Sequence, residues 1–92
     1  MTHFYFHVSN SIGWVRDEEG RALPDLETAR EQAREDVRSI ISDEAKRGVV
    51  DLRGRVEIAD ASGNVVAVVP FRDAVEVRPG DDLVSNDPRG RA

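Results

Sequence analysis

The sequence contains no cysteine, which excludes disulfides, thiolate nucleophiles and cysteine metal sites and fits a reducing compartment. No apolar run approaches the roughly 20 residues needed to span a bilayer. The opening MTHFYFHV has neither the basic start nor the long apolar stretch of a signal peptide. A cytoplasmic protein with no membrane partner is therefore expected. The serines have no G-x-S-x-G setting, and there is no G-x-G-x-x-G or Walker loop, so the common nucleophile-elbow, dinucleotide and nucleotide signatures are missing. Positive charge is also short: 13 Lys and Arg stand against 18 Asp and Glu. The net charge of −5 argues against a nucleic-acid backbone or an anionic membrane as main partner. Ninety-two residues, 39% apolar and 34% charged, suffice for one small core.

The strongest pattern present is residues 25–48, DLETAREQAREDVRSIISDEAKRG, which predicts one long amphipathic helix. Asp25 is an N-cap whose carboxylate can accept first-turn N–H groups, and Glu27 places negative charge at the positive end of the macrodipole. Leu26, Ala29, Ala33, Val37, Ile40 and Ile41 recur at the spacing of one buried stripe. Gly48 can take the left-handed conformation that ends a helix.

On either side the chain reads as strands. HFYFHV at 3–8 puts Phe4, Phe6 and Val8 on one face and His3, Tyr5 and His7 on the other. Residues 12–16 return as a second strand after a turn, Asp17-Glu18-Glu19-Gly20 forms an acidic turn, and residues 21–23 run extended into the helix cap. RVEIAD at 55–60 alternates, and Asp60-Ala61-Ser62-Gly63-Asn64 fits a three-residue hairpin loop with glycine in a G1 bulge. That loop sets Ile58 opposite Val66 and Val56 opposite Val68 on the core face, leaving Val65, Ala67 and Val69 facing away; a two-residue loop would swap the faces. Pro70 ends the strand, and Phe71, Ala74 and Val75 are spaced for one turn that closes the core.

The expected architecture is an α+β two-layer sandwich, ββαββ, with a four-stranded antiparallel sheet of order 2-1-3-4 and the helix on one face. Residues 1–77 form the domain. Residues 78–92, polar and rich in turn formers, are expected to be a disordered tail.

Two surfaces follow. The helix should overhang strands that span only about 17–20 Å. Glu44, in the middle of the apolar stripe, should then lie at the sheet edge in water or against another chain. The fourth strand, VVAVV, does not alternate, so valines should also line the open face beside Tyr5. Tyr5, Val65, Ala67, Val69 and Glu44 are accordingly the candidate interface. A homodimer through that face is the leading reading, with cover from the chain's own C-terminal residues as the alternative.

Chemistry has thinner support. His3 and His7, four residues apart on a strand, are roughly 13 Å from each other, too far to share one metal ion. His7 serves a structural hydrogen bond or lines a groove. With Asp17, Glu18 and Glu19 it makes a candidate functional surface, because clustered carboxylates can bind a hard cation or raise one another's pKa. Arg30, Arg34 and Arg38 form a basic line, but the neighbouring line of Glu27, Glu31 and Glu35 cancels its field. No cofactor or resident metal is expected.

The blocks F-Y-F-H-V at 4–8, D-E-E-G at 17–20, L-P-D-L at 23–26 and V-P-F-R-D-A-V at 69–75 resemble a family of short uncharacterised bacterial proteins, a domain of unknown function. The likeness spans about residues 3–77 and implies no activity, cofactor or catalytic residue. A weaker likeness is to HicB antitoxins, which share the aromatic strand, acidic glycine turn, P-D-L segment and Ala-rich helix. Here the helix follows the P-D-L at once and no DNA-binding tail is evident. That likeness would imply binding to a basic protein partner. The combined reading is a small cytoplasmic interaction module or homodimer without catalytic activity. The alternatives are a HicB-like partner binder and a metal-assisted or acid–base enzyme using His7 with the 17–19 turn.

Overall fold

Asp25 caps the long helix in the way its position dictates: its backbone is extended and its carboxylate accepts the Thr28 N–H at 2.8 Å. The computed structural model describes residues 1–78 and 80, and helix α1 runs through Leu26–Lys46. Ala29, Ala33 and Val37 are buried along its inner line, with Leu26, Ile40 and Ile41 packed against the core at either end. The two alanines let the helix lie close to the sheet, so aromatic side chains from the strands supply the volume between the layers.

The sheet order is β2-β1-β4-β5, with every neighbouring pair antiparallel. Its strands are β1 (Thr2–Ser9), β2 (Trp14–Val15), β4 (Arg55–Ala59) and β5 (Val65–Pro70). A fifth strand, β3 (Arg21–Leu23), pairs with the same edge of β1 as β2 does, through Thr2↔Leu23 and Phe4↔Arg21. The α+β layout with one long helix is thus as expected, and the order differs only by this added strand, the other four following the expected 2-1-3-4. Residues 21–23 do not merely lead into the helix cap; they complete the ladder of the N-terminal half of β1. The second strand is correspondingly short, two residues rather than 12–16.

Phe4 and Phe6 from β1, Val56 and Ile58 from β4, and Ala67 and Val69 from β5 form the helix-facing core. Phe71, in a 3-10 turn over Phe71–Asp73, closes one end with Ala74. Its N–H donates to the Gly54 carbonyl at 2.9 Å, and its ring lies so close to Gly54 that a Cβ there would sit 2.7 Å from it. Arg38 reaches from α1 to donate to the Ala74 carbonyl at 2.7 Å, tying the turn to the helix.

The hairpin loop forms as its sequence specifies: the Gly63 N–H donates to the Asp60 carbonyl, Gly63 has φ +89°, and Asp60 Oδ1 accepts from Ser62 and Asn64. The strand after it does not keep the expected register. Ala59 pairs with Val65 but Ile58 pairs with Ala67, so one residue is inserted on β5. That bulge exchanges the two faces. Ala67 and Val69, expected to be uncovered interface residues, are buried against the helix, while Val66 and Val68 are exposed. Val65 is exposed as expected.

Past Ile41 the helix carries no large apolar residue to its end. Glu44 is half-buried there, and its carboxylate lies 3.4 Å from the Asp51 N–H of the chain's own return loop. The expected tail at 78–92 lies outside the described residues apart from Arg78 and Gly80.

Candidate functional site

Between β2 and β3 the outer edge of β1 has no strand beside it, and residues 16–20 arch over the gap. Side chains replace the missing ladder. The Asp17 carboxylate accepts the Phe6 N–H at 3.0 Å, and its other oxygen accepts from Glu19 and Gly20, both at 3.1 Å. The Asp17 N–H in turn donates to His7 Nδ1 at 2.9 Å, and His3 Nε2 donates to the Glu19 carbonyl at 2.8 Å. His7 therefore accepts at Nδ1, which places its proton on Nε2 in the neutral ring. Partial burial works against ionisation of Asp17, but the N–H groups of Phe6, Gly20 and Glu19 and the nearby Arg21 outweigh it and hold the carboxyl below its usual range.

Gly20 is needed for this closure. Its φ is +67°, and a Cβ would sit 2.6 Å from the Phe4 carbonyl oxygen. Arg21, next in the chain, turns its guanidinium over the Phe6 ring at 4.7 Å and pairs with Asp36 of α1 at 2.6 Å.

The arch brings most of the expected functional residues together. Tyr5, His7, Asp17 and Glu18 line one cavity of about 210 Å³ with Arg16 and Asp60, floored by Ala59. Glu19 lies instead at a broader groove of about 450 Å³ between the arch and α1, where Val8, Val15 and Ile40 are apolar lining. His3 and His7 grip opposite ends of the arch and share no ligand position. Among the described residues no group of three His, Asp or Glu side chains could hold a metal ion.

The sheet face turned away from α1 is mixed in character. His7 lies opposite Glu57, and Trp14 donates from Nε1 to Glu57 Oε1 at 3.2 Å with its ring centroid 5.2 Å from that of His7. Flanking this polar row, Trp14 is 54% exposed on one side and Val65 and Val68 are 52% and 44% exposed on the other. Of the expected interface set, Tyr5 and Val65 lie on this face, Ala67 and Val69 do not, and Glu44 is at the far end of the helix. Sequence reading missed Trp14 and Val68. The signal for Trp14 was available: it is the chain's one tryptophan and sits beside a glycine in a strand too short to bury it.

No helix among the described residues is long and apolar enough to cross a membrane. A family model described as Domain of unknown function (DUF6894) matches residues 3–72. No curated protein and no solved structure matches the chain.

Proposed function

Given that the chain belongs to the DUF6894 family, whose model takes in the helix and all of the strands but the first residue of β1, we propose that it is a small cytoplasmic interaction module that works as a homodimer and carries no catalytic activity. The observation that carries this reading is the uncovered apolar rim of the sheet, Val65 and Val68 on β5, on the side that α1 does not reach. Neighbouring apolar side chains left in water on one face of a sheet are the kind of patch that marks an interface, as scattered single ones are not.

The acid–base alternative draws less support from the same geometry. Asp17 spends both oxygens on backbone N–H groups and His7 spends Nδ1 on the Asp17 N–H. These residues hold the arch in place, and a carboxylate so engaged is a poor proton donor or metal ligand at neutral pH. The acidic net charge would suit a basic protein partner, but nothing in the fold selects one.

Analytical ultracentrifugation at tens of micromolar tests the proposal. The expected species has twice the 10.2 kDa chain mass. A species of single-chain mass across that range overturns the homodimer.

A further inference from the structure

The sheet face turned away from α1 is stepped. Its β2–β1 half carries rings: Trp14 and His7 lie 5.2 Å apart at their centroids, and Tyr5 and His3 lie 5.0 Å apart. Strand register continues the same rows onto the β4–β5 half with smaller groups at the outer edge. Tyr5 is followed by Ala59 and Val65, and His7 by Glu57 and Val68. The row of Trp14 and Ser9 ends in Arg55 and Pro70. The step is deepest at Ala59, which floors the cavity of about 210 Å³ that Arg16, Glu18 and Asp60 also line.

We infer that two copies of the chain pack open face to open face about a two-fold axis running along the strands between β1 and β4, the ring half of each lying on the valine half of the other. The inference rests on the self-association proposed above and fixes its geometry. Sheets stack face to face about 10 Å apart with their strands within about 30° of each other. A two-fold axis further requires that each copy receive what it presents.

Two directions in the plane of contact meet that requirement, and the side chains decide between them. An axis across the strands keeps each strand over its own equivalent. Rings would then meet rings and hold the valines apart, and an axis through the central row would set Glu57 over Glu57. An axis along the strands turns β1 over β4 and β2 over β5 and keeps the rows. Tyr5 then comes over Ala59 of the second copy, with its hydroxyl among the polar groups of the cavity, and Arg55 comes over Ser9. His7 has its Nδ1 taken by the Asp17 N–H, so its Nε2–H is left to donate, and Glu57 of the second copy stands opposite it. The Glu57 carboxylate already accepts from Trp14 and Arg55 and has lone-pair capacity for one more donor. Trp14 meets the edge formed by Pro70 and Val68. Bulk thus lies on hollow and donor on acceptor.

Variants of the full chain test the axis. Trp14 and Val68 are 54% and 44% exposed, so Trp14→Glu and Val68→Lys should each keep the wild-type circular dichroism and weaken the dimer roughly tenfold or more in sedimentation. An equimolar mixture of the two should recover the dimer. One of its two symmetry-related contacts then joins the new carboxylate to the new ammonium, and the other keeps Trp14 against Val68. The chain has no cysteine, which allows a second measurement without added charge. Trp14→Cys mixed with Val68→Cys should crosslink with a short bifunctional thiol reagent, and neither should do so alone. Weakened single variants whose mixture stays monomeric overturn the axis, as does crosslinking of Val68→Cys by itself. A dimer left intact by either charged variant overturns the face-to-face packing. In each of these cases the self-association reading stands, whereas a wild-type chain of single-chain mass removes both.

Discussion

The Asp17 carboxylate stands 3.0 Å from the Phe6 N–H, at a place in the sheet where a neighbouring strand would ordinarily supply a carbonyl. One side chain thus does the work of a strand residue, and it does so while gathering two further N–H groups from its own turn. The acidic turn that sequence reading singled out for chemistry is, in its first member, a structural acceptor.

Removing that acceptor should loosen the arch. Asp17→Ala leaves the Phe6, Glu19 and Gly20 N–H groups to find water, and since the site is only partly buried, the loss is expected at about 1–2 kcal/mol. Asp17→Asn keeps one oxygen acceptor and should lose less. Urea unfolding of the two variants against wild type measures both, and equal stability for all three would refute the role.

The same carboxylate predicts an acid dependence. Its native pKa lies below the unfolded value, so its contribution to stability is full above about pH 4 and is lost as pH falls through the lowered native value. The stability gap between wild type and Asp17→Asn should therefore be constant near neutrality and narrow under acid conditions. A gap that widens as the pH falls would contradict the geometry.

At Gly20 two penalties coincide, a left-handed backbone and a Cβ placed 2.6 Å from a main-chain oxygen. Gly20→Ala is expected to destabilise by more than the roughly 1–2 kcal/mol of the conformational term alone. It should also increase hydrogen exchange at Arg21–Leu23, because β3 depends on the arch for its register.

The β-bulge makes a pairwise prediction on adjacent valines. Val69, 4% exposed, packs beneath the helix, and Val69→Ala should lose about 1.5–2.5 kcal/mol. Val68→Ala should stay within about 0.5 kcal/mol when measured at low protein concentration, where association does not contribute. The opposite ranking would restore the face assignment expected from the hairpin loop alone.

The long helix and its cap were legible in the residues themselves. Their information is local: periodicity of 3.6, a carboxylate at the N-cap and a glycine past the last turn each act within a few residues. The hairpin loop at 60–64 was legible for the same reason, as was the antiparallel arrangement of four of the strands. The side of β5 that meets the core was not. An unbroken valine run reads the same from both faces, so a single inserted residue could reverse it without altering any pattern. The pairing of residues 21–23 with β1 and the seating of Asp17 under Phe6 were likewise decided in three dimensions. The first joins segments some 20 residues apart, and the second depends on an unpaired N–H that exists only once two short strands have left a gap between them, which no local sequence rule can express.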